Sequence, residues 1–192
     1  MRILSAFIFF SILTITSQAQ HEYDNWYFGS GAGINFTSGS PVVLIDGMTF
    51  TTEGTAVMSD TAGNLLFYTD GVTVWNKNHM MMVNGNNLHG GNSSTQSALI
   101  VKQPASDSLY YIFTVGDYGA YGFSYSVADM SLQSGLGEVI LKNIVVSNNS
   151  TEKLTGARDA NGNDYWILIH VPTSTMIQSY LVFFEFILFK HI

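Results

Sequence analysis

The sequence contains no cysteine. That excludes a disulfide framework, a thiolate zinc site and a thiol nucleophile, and it leaves no cysteine behind the N-terminal apolar stretch to carry a lipid. A chain of 192 residues still has the length to bury a core without cross-links. Positive charge is also scarce. Residues 21 to 179 hold thirteen Asp or Glu against five Lys or Arg. Those five, Lys77, Lys102, Lys142, Lys153 and Arg158, are scattered rather than clustered. Nucleic acid and anionic membrane are therefore not expected as partners. Helical periodicity over any long segment is missing too, while Gly and aromatics are plentiful. That combination suits short strands joined by tight turns and argues against helical bundles and disorder.

The motifs of common chemistries are absent as well. There is no Gly-x-Ser-x-Gly, so no nucleophile elbow. His21, His79, His89, His170 and His191 lack H-x-x-x-H spacing. His79 and His89 share a loop region with Asp70 nearby, but without ligand spacing the region reads as solvated loop rather than a zinc or copper site. No metal, cofactor or catalytic residue is expected.

What is present begins with an export signal. Arg2 supplies a positive start, Ile3 to Ile15 an apolar run, and Ser17-Gln18-Ala19 the small residues of a cleavage site. The run is shorter than the roughly 20 residues that span a bilayer, so no membrane span is expected. The chain divides into a signal peptide at 1–19, a repeat domain at 20–179 and an aberrant apolar tail at 180–192.

The repeat is visible as self-similarity. Asp60-Thr61-Ala62-Gly63-Asn64-Leu65-Leu66-Phe67-Tyr68 matches Asp159-Ala160-Asn161-Gly162-Asn163-Asp164-Tyr165-Trp166-Ile167 without a gap. Asp107 to Phe113 has the same shape with a shorter turn, and Asn25 to Gly29 resembles the aromatic strand alone. With Tyr27, Phe67, Tyr111 and Trp166 in register the spacings are 40, 44 and 55 residues, the length at which propeller blades recur. Gly and Asp in the turns supply a positive φ and a local backbone acceptor. Each turn carries a single carboxylate, against the roughly 6–8 oxygens that calcium takes. Entering strands are predicted at Thr55–Met58 and Ser97–Val101, third strands at Val72–Trp75 and Phe123–Val127, and a fourth at Glu138–Val146. Leu65 to Tyr68 are apolar at consecutive positions, which predicts a strand buried on both faces, as in a sheet stacked between two others. The expected fold is all-β: an incomplete β-propeller-like array of about three to four four-stranded repeats.

An ordered series of motifs carries a resemblance. It runs through Asn25-Trp26-Tyr27-Phe28-Gly29, Glu53-Gly54-Thr55-Ala56, Gly63-Asn64-Leu65-Leu66-Phe67-Tyr68-Thr69-Asp70-Gly71, Val74-Trp75-Asn76, Ser94-Thr95-Gln96-Ser97-Ala98 and Tyr110-Tyr111-Ile112-Phe113-Thr114. From about Asn25 to His170 the chain is similar to the N-terminal region of large gliding-motility-associated, type IX secretion surface proteins, which often carry PKD domains. The resemblance implies a propeller-like module of an exported protein, at the cell surface or extracellular for the full-length family, and it brings no catalytic residues. It decays after Pro172, where the relatives continue into further domains. The chain is therefore expected to be a truncated fragment, periplasmic if it is the real product. Open blade edges would then invite aggregation or self-association.

The function expected is non-enzymatic interaction (adhesion, gliding, or glycan or peptide binding) with a surface glycan or protein as partner. Glu53, Asp70, Trp75, Asn76, Gln96 and Tyr121 are the candidate binding residues, aromatic faces beside amides and acids being suited to sugars or peptides. Tyr118 and Tyr125 offer similar faces. The alternative is an extracellular polysaccharide-acting enzyme with Glu53, Asp60 and Asp70 gathered at one mouth of the propeller.

Overall fold

The computed structural model describes residues 21–184 and 186–191; the leader expected at 1–19 lies outside the described residues. The chain is all-β, in four antiparallel sheets that each run as a meander in chain order. The first sheet holds β1 (Asn25–Tyr27), β2 (Gly33–Asn35) and β3 (Val42–Leu44). The second holds β4 (Ala56–Ser59), β5 (Leu65–Thr69) and β6 (Val74–Asn76). The third holds β7 (Ala98–Lys102), β8 (Leu109–Val115), β9 (Phe123–Asp129) and β10 (Glu138–Ser147). The fourth holds β11 (Leu154–Arg158), β12 (Tyr165–His170), β13 (Ile177–Phe183) and β14 (Phe186–His191). Among the described residues two sheets thus have four strands and two have three, which corrects the expectation of four strands throughout. In the second unit the loop after β6 replaces a fourth strand. It is tied to β10 by Lys142 Nζ on Asn84 Oδ1 at 3.0 Å and by Asn143 Nδ2 on the Asn87 carbonyl at 2.8 Å. Among the described residues no helix is long and apolar enough to cross a membrane.

The repeated turn explains the matching hairpins. In the β4–β5 turn Asp60 Oδ1 accepts the Ala62 and Asn64 N–H groups, both at 2.9 Å. In the β11–β12 turn Asp159 Oδ1 accepts the Asn161 N–H at 2.9 Å, and its other oxygen accepts Trp166 Nε1 at 2.7 Å. The first loop is one residue shorter, with Ser59 opposite Leu65 where Arg158 opposes Tyr165. A bulge at Leu66 restores the register, so Phe67 opposes Met58 as Trp166 opposes Ala157. Tyr27 does not share that register. It lies on the first strand of its sheet, whereas Phe67, Tyr111 and Trp166 lie on second strands.

The sheets stack face to face, and consecutive side chains of the second strands serve opposite neighbours. On β8, Ile112 and Tyr110 join Met58, Phe67 and Val74 of the second sheet. Tyr111, Phe113 and Val115 join Leu154, Ile167, Ile169 and Val182 of the fourth. On β5, Phe67 faces the third sheet, and Tyr68 stacks on Tyr27 of the first at 4.6 Å. Each large side chain fully buried in such a layer contributes roughly 1.5–3 kcal/mol.

First strands neighbour one another: β1 with β4, β4 with β7, β7 with β11. Gly54 N–H, just before β4, donates to the Ser94 carbonyl just before β7. Gln96, also before β7, accepts Leu154 N–H at the start of β11. Hence β4, β7 and β11 run in one direction. β1 runs the other way: Asn25 at its start bonds Ser59 Oγ at the end of β4, and the Tyr27 carbonyl accepts Thr55 Oγ1 from just before β4. The run set apart as a tail, from Tyr180 onward, supplies the end of β13 and β14. There Tyr180 and Val182 are buried against the third sheet.

Candidate functional site at the starts of the first strands

Five loops converge where β4, β7 and β11 begin. The first is the β5–β6 hairpin. Asp70 is buried, and its Oδ1 accepts Val72 and Thr73 N–H at 2.9 and 2.8 Å, while its carbonyl accepts Ser97 Oγ at 2.6 Å. Gly71 follows with φ +89, and a Cβ there would collide with Ser97 Oγ. The left-handed conformation and the close approach both require glycine. Gln96 spends its amide oxygen on Leu154 N–H at 2.9 Å. Glu152 ties three loops together. One carboxylate oxygen accepts Thr95 N–H and Oγ1 at 3.1 and 2.8 Å, and the other accepts Tyr118 N–H at 2.8 Å. These donors, Tyr118 N–H foremost, hold its carboxyl below the usual carboxylate range. Glu53 sits exposed on the same face, with its backbone N–H on Thr51 Oγ1.

The β8–β9 loop then puts two rings into solvent. Tyr118 is 97% exposed at φ 53 and Tyr121 is 62% exposed at φ 67. Left-handed backbone is uncommon for a bulky residue and costs on the order of 1–3 kcal/mol where it occurs. Tyr121 lies flat on the His89 imidazole, ring centroids 4.6 Å apart and planes 13° from parallel. His89 in turn meets Ser124 Oγ at 3.2 Å, and burial pushes its pKa below the usual value. This pair borders a depression of about 580 Å³ whose polar lining comes from Asn87, Asn92 and Asp117. A smaller hollow of about 270 Å³ lies beside Tyr118, lined by Ser150, Glu152, Lys153 and Pro172. The hydroxyls of Ser150 and Ser94 are buried with no hydrogen-bond partner among the described residues.

Of the residues singled out in the sequence, Glu53, Asp70, Gln96 and Tyr121 come to this face. Trp75 and Asn76 do not. Trp75 is half-buried against Tyr68, ring centroids 5.6 Å apart. Asn76 is buried and caps its own turn through Asn78 and Met80 N–H. Asp60 lies in the β4–β5 turn, at the other end of β5 from Asp70. His79 and His89 are likewise separated. His79 Nδ1 meets Tyr68 OH at 3.0 Å and its Nε2 meets Asp46 Oδ2 at 3.3 Å, while Tyr27 OH donates to Asp46 Oδ1 at 2.9 Å. Burial first, then Asp46, raises the Tyr27 phenol well above its usual range. This network stitches the first sheet to the second. No local sequence signal marks it, because its members come from three separate segments. Among the described residues no cluster of three His, Cys, Asp or Glu could hold a metal ion.

No family model matches the chain, and neither a curated protein nor a solved structure matches it.

Proposed function

We propose that the chain is a non-enzymatic binding module of an exported bacterial surface protein and that the tyrosine face takes glycan chains. The carrying observation is Tyr121 lying flat on His89 beside a hollow edged with Asn87, Asn92 and Asp117. A sugar ring needs that pairing: a flat aromatic face for its C–H surface and amide or carboxylate oxygens for its hydroxyls. Tyr118 extends the platform. Two acids on this face are already engaged, Asp70 in its own hairpin and Glu152 as a tie between loops. The propeller-like reading is supported by the stacked meanders and by β4, β7 and β11 running the same way side by side. Export, surface display and an origin among gliding-motility-associated proteins rest on the sequence resemblance.

The test is a glycan array probed with the mature chain and with Tyr118→Ala/Tyr121→Ala, alongside an assay for released reducing ends. The reading expects selective glycan binding, a loss of at least about tenfold in the double variant, in keeping with aromatic anchors at binding sites, and no turnover. Equal binding by the double variant would remove the tyrosine face as the site, and turnover would replace the module with an enzyme.

A further inference from the structure

At the opposite ends of the same three strands lies a second cavity, of about 340 Å³. It is bounded by Ser59 at the end of β4, Lys102 at the end of β7 and Arg158 at the end of β11. Its floor is apolar: Met58 and Ile100 are each 7% exposed, and Leu66 and Met130 pack beside them. The Tyr110 side chain is the telling one. It is 6% exposed and lines the cavity, yet its hydroxyl has no hydrogen-bond partner among the described residues. Its ring is buried, and its hydroxyl, which is not sealed from solvent, opens into the cavity where a bound molecule can meet it.

The charges around it are also open. Arg158 gives one N–H to Tyr165 OH at 3.3 Å and faces that ring at 5.6 Å. Neither Arg158 nor Lys102 has a carboxylate within ion-pair distance among the described residues. A guanidinium has five donors in a fork that matches a carboxylate. The cavity also presents acids. Asp60 is consumed by its own turn, through the Ala62 and Asn64 N–H groups, whereas Glu22 and Asp107 line the cavity with no such bonds. The cavity therefore combines charges of both signs with an apolar floor, at a volume near the lower bound of about 300 Å³ for small-molecule sites.

We propose that this cavity binds a free apolar amino acid, its carboxylate toward Arg158 and Lys102, its ammonium toward Glu22 and Asp107, and its side chain on the Met58–Ile100 floor beneath Tyr110. A ligand with one charge would engage only one of the two signs of charge around the cavity. The site is independent of the tyrosine face. The experiment is calorimetric titration of the chain with phenylalanine, phenylacetate and phenethylamine. The expected result is saturable phenylalanine binding, with each singly charged analogue at least about tenfold weaker. Arg158→Gln should lower the phenylalanine affinity by about tenfold and Tyr110→Phe by about fivefold, with far-UV circular dichroism unchanged and Tyr121→Ala without effect. Lys102→Met serves as a second anion-seat variant and should also weaken binding. No phenylalanine binding, equal binding of either analogue, or full affinity in both Arg158→Gln and Lys102→Met would overturn the proposal.

Discussion

The third sheet and the first are built from similar residues but differ in what covers them. The third lies between two others, and Phe113, Val115, Phe123 and Ile112 on its middle strands are fully buried. Among the described residues the first has one neighbour. Tyr27 is buried toward the second sheet, while Trp26 on the same strand is 49% exposed and Val43 on β3 is 75% exposed. A period-two strand shows alternate residues to opposite faces, so position in the stack, rather than composition, decides which apolar residues are core. The difference bears on the proposed binding face, because the tyrosine loop is the β8–β9 connection. A loop with two left-handed tyrosines is mounted on the most deeply buried hairpin among the described strands.

The comparison can be broken by mutation. Phe113→Ala, at the centre of the third sheet, should cost about 3–5 kcal/mol, read as a shift in the denaturant midpoint. Gly71→Ala should cost at least about 1 kcal/mol by the same readout, since the φ and the approach of Ser97 both oppose a side chain. Glu152→Gln should cost about 1 kcal/mol, because an amide replaces one accepting oxygen with a donor facing N–H groups. Val43→Ser, at a 75% exposed position on the open face of the first sheet, should stay within about 0.5 kcal/mol.

Acid sharpens the same contrast. Glu152 and Asp60 both have folded pKa values below their ordinary ones. At Asp60 burial acts upward, but the hydrogen bonds of its turn, led by Asn64, outweigh it. A lowered folded pKa means that the unfolded chain binds protons first. The stabilisation is therefore complete above the ordinary carboxylate range and is lost as pH falls through the folded values. Stability measured from pH 7 to pH 3 should decline, and Glu152→Gln should flatten part of that decline. A parallel decline in the variant would remove Glu152 as a pH-dependent tie between the loops.

Much of this fold was legible in local chemistry. The strands expected at Ser97–Val101 and Glu138–Val146 lie within one residue of β7 and β10. The doubly apolar run Leu65 to Tyr68 does serve two neighbours, through Phe67 and Tyr68. The Asp-x-x-Gly-Asn turns form as local acceptor chemistry requires. What failed had no local carrier. Tyr27 shares only the aromatic look of the repeat, without the Asp turn before it, and its strand direction is set by Ser59 and Thr55 of another sheet. Trp75 offers a ring and Asn76 an amide in the sequence, yet stacking on Tyr68 and turn capping occupy them. The second cavity draws on four turns, so no single stretch of sequence displays it.

Residue-resolved amide hydrogen exchange tests the stacked arrangement most directly, since protection follows how deeply a strand is embedded. The account predicts the slowest exchange in β8 and β9, intermediate exchange in β5 and β12, and the fastest in β3. Equal protection of β3 and β8, or rapid exchange throughout β8, would contradict it.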